Sequence, residues 1–144
     1  MNKFIFLSKD FYNAYPQNIF TEIEQKTSRP YIQICVTVCG IDFAIPLRSN
    51  IKHSNVLWTD KANHCGVDFS KAVVIEKPDY IDTKRTPYIR PNEFKALKGK
   101  EYIIQTKMQK FIEKYKKAKA NAHIKSNAEL CLFSTLQYFE KYFM

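Results

Sequence analysis

The sequence predicts an α+β fold, a small antiparallel sheet carrying C-terminal helices on one side. Three observations predict it. Up to about Ile89 the chain breaks into short β-branched and aromatic runs bounded by Pro, Gly and Asp. From Asn92 onward apolar residues recur at spacings of three, four and seven, the period of a helix. No repeat, low-complexity tract or linker interrupts the 144 residues, so 1–144 reads as a single domain with a real core.

Each element follows from local chemistry. Phe4-Ile5-Phe6-Leu7 is a first short strand. Asp10 to Tyr15 is a turn or a short helix, stopped by Pro16. Tyr31 to Cys39 is β-branched and aromatic and lies between Pro30 and Gly40, which marks a strand. Gly40-Ile41-Asp42 connects tightly into Phe43-Ala44-Ile45-Pro46-Leu47, so the two runs form a hairpin. Pro46 has no amide hydrogen and belongs at an edge or where the strand ends. Val67-Asp68-Phe69 and Ala72-Val73-Val74-Ile75 are further strands, and Thr86 to Ile89 starts another extended piece.

In the second part, Asn92 after Pro91 is the expected N-cap, with Glu93 in the first turn. Phe94, Leu97, Ile104, Met108, Phe111, Tyr115, Ala118 and Ala122 form the stripe of one long helix, with Gly99 off the stripe. A last helix begins near Ser126, where Ser126 and Glu129 match a capping box. Leu130, Phe133, Leu136, Tyr138 and Phe139 pack it onto the sheet.

Twenty-three Lys and Arg against 14 Asp and Glu give a net charge of +9. A polyanion suits that surface, because basic side chains displace the counterions condensed on a phosphate backbone. With three glycines, a glycine-rich phosphate loop is not expected. Cys35, Cys39, Cys65 and Cys131 form no C-x-x-C pair and fit neither a zinc site nor a stapled secreted scaffold. They read as buried free thiols, with Cys35 and Cys39 on one strand face. His64-Cys65, and the loop carrying Glu76, Asp79 and Asp82, lack metal-ligand spacing, and His123 is explained by a helix C-terminus, so no cofactor or metal is expected. The apolar patch from Met1 to Ser8 is too short for a signal sequence, and nothing approaches a membrane span. A cytoplasmic protein without a membrane partner is expected.

The segment after the second hairpin strand concentrates chemistry. Arg48, Ser49, Lys52 and His53 crowd into the loop that follows Leu47. Arg48 can grip a phosphate with two prongs, Ser49 can donate to its oxygen, and Lys52 can stabilise a pentacoordinate phosphorane. His53 can move a proton near neutral pH. A metal-free ribonuclease needs these parts, since RNA supplies its own 2′-hydroxyl nucleophile. Arg-Ser-Asn is also ordinary turn chemistry. A second cluster is Ser28-Arg29-Pro30-Tyr31, which the hairpin brings beside Arg48 and Ser49. Tyr31 can stack on a base or pack into the core. A third is the basic stretch Lys95 to Lys125, where Lys114, Lys116, Lys117 and Lys119 form a ridge for RNA backbone or a solvated helix face.

Taken in order, these segments resemble the ToxN/AbiQ group of endoribonuclease toxins from type III toxin–antitoxin systems. The resemblance rests on Arg29-Pro30-Tyr31-Ile32, on Phe43 to His53, on Gly66-Val67-Asp68-Phe69, and on Ala72 to Ile75. It implies a strongly curved, small barrel-like sheet with helices. It implies metal-independent cleavage of RNA, often at adenine-rich sites, leaving a cyclic phosphate and a 5′-hydroxyl. It further implies an antitoxin of repeated pseudoknot RNA, processed by the toxin and held with it in a closed ring, cellular or phage mRNA as substrate, and abortive phage defence. By position Ser49 resembles the family's active-site serine, Arg29 its basic residue before the strand, and Lys52-His53 its Lys-His element. Arg48 stands where a hydroxyl residue is commoner, and the stretch from Ser49 to Lys52 is one residue shorter. The alternative expectation is a non-catalytic basic RNA-binding module.

Overall fold

The computed structural model describes residues 3–26 and 29–144; Ser28 of the second cluster and the first two residues of the N-terminal patch lie outside them. Six strands run as β1 Lys3–Ile5, β2 Gln33–Val38, β3 Ile41–Arg48, β4 Val56–Asp60, β5 Cys65–Asp68 and β6 Val73–Val74. Helices are α1 Lys9–Ala14, α2 Pro91–Leu97, α3 Glu101–Ala120 and α4 Lys125–Phe133, followed by short 3-10 turns. The α+β class is as expected.

The hairpin of β2 and β3 is the centre of the sheet. Val38 pairs with Ile41 across a two-residue turn, Cys39-Gly40, in which both residues have positive φ (51° and 76°). That is the turn whose twist matches paired strands. Cys39 therefore belongs to the turn and does not share a strand face with Cys35. None of the four thiols is fully buried; Cys39 is exposed and the others are intermediate. Pro46 sits inside β3, buried, opposite Gln33. The Leu47 amide donates to the Ile32 carbonyl at 2.8 Å, so the nitrogen of Pro46 faces the other edge. There β3 changes partner, from β6 at Phe43–Ala44 to β5 at Leu47–Arg48. The missing donor falls in that gap, so no ladder bond is lost.

The sheet order is β1-β2-β3-β5-β4, with β6 beside β3, all antiparallel. It is open and not strongly curled, which corrects the barrel-like expectation. β1 has three residues and β6 two, too little edge to wrap the sheet onto itself. The first strand stops at Ile5, and Leu7 makes an isolated bridge to Ile81. Phe69 leaves the ladder for a 3-10 turn, β4 has no counterpart among the expected strands, and Thr86 to Ile89 forms no strand.

The helical stripe is divided. Gly99, at φ 73°, ends α2 and lets the chain restart as α3. Arg90, not Asn92, is the N-cap of α2, and Pro91 takes the first helical position, where its missing N–H is harmless. The capping box is not formed either: α4 begins at Lys125 after Ile124, with no side-chain cap. α3 buries Ile104, Met108, Phe111, Ile112, Tyr115 and Ala118. All of these but Ala118 join Phe11, Ile34, Phe43, Ile45, Val67, Leu136 and Phe139 in one core. Glu76 accepts from the Tyr15 and Tyr142 hydroxyls and ties the C-terminal residues to the end of α1. No helix among the described residues is long and apolar enough to cross a membrane.

Candidate functional site

The hairpin register decides what meets what. One step beyond the Ile32–Leu47 pair, the Tyr31 ring lies beside Arg48, whose guanidinium carbon is 5.7 Å from the ring centroid. A groove of about 380 Å3 opens at this end of the sheet. Arg29, Tyr31, Arg48 and Ser49 all line it, together with Lys26, Tyr88, Arg90 and Glu93. The residues expected at adjoining strand ends thus share one concave surface. Lys26 Nζ stands 4.6 Å from the Tyr31 ring, and the Tyr88 side of the groove is an aromatic residue left 78% exposed.

Arg48 is clamped between two carboxylates of different setting. Its Nη1 donates to Asp68 Oδ2 at 3.0 Å, and Asp68 is fully buried. Its Nη2 donates to Glu24 Oε2 at 2.9 Å, and Glu24 is 41% exposed. Burial opposes the guanidinium's charge, but Glu24 and Asp68 outweigh it and raise the pKa. The Tyr31 hydroxyl donates to the same Glu24 oxygen at 3.0 Å. Burial first, then that carboxylate, raises the phenol's pKa.

Asp68, expected only as a strand residue, is the hub. Its Oδ1 accepts from the Ser70 hydroxyl at 2.6 Å and the Ser70 amide at 3.0 Å, and lies 3.1 Å from His53 Nε2. Burial pushes the carboxyl up. The bonds from His53 and Ser70 and the charges of His53 and Arg48 prevail and hold it below the ordinary carboxylate range. The only sequence sign is Asp68-Phe69-Ser70, a pattern in which a side chain takes the amide two residues on. Glu24, Lys26 and Arg90 carry no sign beyond charge.

His53 lies on the far side of this hub. Its Nδ1 accepts the Asn55 amide at 3.0 Å, so hydrogen-bond geometry assigns the proton to Nε2, toward Asp68 and the Ser70 oxygen at 3.2 Å. Ser70 gives its own proton to Asp68, so these three residues do not form a relay that activates a serine. Lys52 is exposed, and neither Lys52 nor His53 lines the groove of Arg29 and Ser49. The structure therefore brings together Arg29, Tyr31, Arg48 and Ser49, and connects His53 to them through Asp68.

The expected lysine ridge divides as well. Lys107, Lys110, Lys114 and Lys117 follow at spacings of three and four and share one face of α3. Lys116 and Lys119 turn away from that face, and Lys119 pairs with Glu140. A second groove, about 160 Å3, is lined by Lys107, Lys110 and Lys114 with Ser54 and Asn55. Lys114 Nζ donates to Asn55 Oδ1 at 2.8 Å, which joins this basic face to the loop carrying His53.

Among the described residues, no group of three or more His, Cys, Asp or Glu side chains comes together as a metal site. No protein-family model, curated protein or solved structure matches the chain.

Proposed function

We propose that the chain binds single-stranded RNA and cleaves it as a metal-independent endoribonuclease, a toxin of the type III kind its sequence resembles. The observation that carries this reading is the groove shared by Arg29, Tyr31, Arg48 and Ser49. It gathers two guanidinium groups, a hydroxyl and an aromatic ring, which is what a phosphodiester with a neighbouring base requires. The net charge of +9 and the lysine face of α3 supply the longer-range attraction.

In the proposed reaction the 2′-oxygen attacks its own phosphorus while the bond to the 5′-oxygen breaks. Arg29 and Ser49 hold the non-bridging oxygens, and Arg48 adds charge beside them. Lys52 stabilises the phosphorane and His53 passes the proton lost by the 2′-hydroxyl to the leaving 5′-oxygen, each after turning toward the groove that Ser49 already lines. The products are a 2′,3′-cyclic phosphate and a 5′-hydroxyl. The proposed partners follow the resemblance: adenine-rich cellular or phage mRNA as substrate, and a repeated pseudoknot RNA antitoxin enclosed with the toxin in a ring.

A second reading, an RNA-binding module without catalysis, is favoured by one observation. Both ring nitrogens of His53 are engaged, by Asn55 and Asp68, and the ring lies outside the groove lining. One experiment separates the two. Adenine-rich RNA is incubated with the protein in EDTA, beside Ser49→Ala, Arg29→Ala and His53→Ala. Cleavage ending in cyclic phosphate and abolished in Ser49→Ala supports the enzyme. Salt-sensitive binding with intact RNA supports the module, and full activity in His53→Ala removes His53 from the mechanism.

A further inference from the structure

Two side chains that line the groove converge on a single oxygen of Glu24, which itself lines the small neighbouring cavity that shares Tyr31 and Arg48 with the groove. Arg48 Nη2 and the Tyr31 hydroxyl reach Glu24 Oε2 at 2.9 and 3.0 Å. A charged fork and a neutral hydroxyl on one anionic oxygen is the arrangement that holds a phosphate oxygen. Lys26, Arg29 and Ser49 line the groove together with those two donors. An incoming phosphodiester would therefore meet more donors than the single Glu24 oxygen engages.

The two carboxylates on Arg48 differ in how easily they leave. Asp68 is fully buried and carries further bonds from Ser70. Removing it from Arg48 would strand a buried charge. Glu24 is 41% exposed and can turn into water, and exposed ion pairs are weak. When Glu24 leaves, Arg48 stays aimed, because its other arm is fixed on Asp68.

We propose that Arg48 and Tyr31 form a phosphate-oxygen site at the border of the RNA groove, and that Glu24, which now holds both, is its built-in competitor. The carboxylate neutralises Arg48 in the free protein and is displaced by a backbone phosphate. Weak anions then fail to hold the site, while a strand that also engages Arg29 and Lys26 succeeds. This rests on the groove being an RNA site.

The test is fluorescence anisotropy with a short labelled 2′-O-methyl oligoribonucleotide, which binds but cannot be cut. Glu24→Gln keeps an acceptor and removes the charge; it should bind about two- to fivefold tighter, the size of an exposed ion pair. Glu129→Gln, a half-exposed carboxylate on α4, is the charge-matched control and should change little. In a Tyr31→Phe or Arg48→Lys background the gain from Glu24→Gln should shrink or vanish. Tyr31→Phe leaves the Asp68 contacts in place and guards against misfolding of the Arg48 variant. A gain no larger than that of Glu129→Gln, or one that persists undiminished in both backgrounds, overturns the competitor role while wild-type binding keeps the groove. Absence of salt-sensitive binding in every variant overturns both.

Discussion

Asp68→Asn is the most informative single change. Asp68 accepts on both oxygens: Oδ2 takes Arg48, and Oδ1 takes Ser70 twice with His53 Nε2 at 3.1 Å. An asparagine has one acceptor oxygen and one amide NH2. If its oxygen serves Ser70 and His53, its NH2 faces Arg48 Nη1, a donor, across 3.0 Å. One charge-assisted bond is removed and a half-buried guanidinium keeps only Glu24. The expected destabilisation is about 3 kcal/mol, near the low end for breaking a buried pair. For a chain of this size that lowers Tm by roughly 10 °C. The pH dependence has a definite sign. The carboxyl's pKa is lower folded than unfolded, so its stabilisation is fully present above the ordinary value of about 4 and is lost as pH falls through the folded value. Circular-dichroism melts of both proteins at a series of pH values should show a constant gap near neutrality that narrows in acid. A gap at pH 7 of under roughly 3 °C, or one that widens in acid, refutes the hub.

Gly66→Ala should destabilise the β4–β5 ladder by about 1–3 kcal/mol in urea melts, because the new Cβ would stand 2.5 Å from the Leu57 carbonyl oxygen and 2.7 Å from Val56 Cγ1. An unchanged midpoint refutes it. Replacing Lys107, Lys110 and Lys114 together with glutamine should reduce the salt slope of RNA binding by about 0.7 for each phosphate that is no longer neutralised, whereas Lys116→Gln with Lys119→Gln should do less. Equal effects refute the division of α3 into faces. Burial raises the Cys35 thiol to about 11, so iodoacetamide at neutral pH should label exposed Cys39 well before it. Peptide mapping that finds Cys35 labelled as fast as Cys39 overturns that placement.

Local chemistry makes the hairpin legible. Pro30, Gly40 and a β-branched run between them leave few alternatives, and once Tyr31 to Leu47 is a hairpin, Arg29 and Ser49 must lie near each other. The stripe of α3 is legible for the same reason, since buried positions at spacings of three and four repeat over about four turns. What stays hidden depends on contacts far apart in the chain. Asp68 acquires its role from Arg48, twenty positions away, and Glu24 from Arg48 and Tyr31. A charged residue in a strand pattern gives no hint of which cation will cover it. β4 escapes a sequence reading because Val56-Leu57-Trp58-Thr59-Asp60 has no bounding Pro or Gly, and its pairing is set by Gly66 across the ladder. Gly99 misleads because its place off the apolar stripe says nothing of its backbone freedom; a positive φ there ends one helix and starts another.

The asymmetry of the two carboxylates on Arg48 links fold to function. A guanidinium in a groove with Lys26, Arg29 and Arg90 has strong reasons to move: like charges repel it and water solvates it. Asp68 removes that freedom from one side, since a fully buried carboxylate with Ser70 bonds of its own cannot follow the arginine outward. The Tyr31 ring limits it from another. What remains is a fork with one arm fixed and the other held beside the groove by the half-exposed Glu24. A ligand phosphate then need not organise the arginine, only replace a half-exposed carboxylate, and the ordering cost that weakens most surface arginines has already been met in folding. The arginine is useful at position 48 because a buried aspartate on β5 aims it.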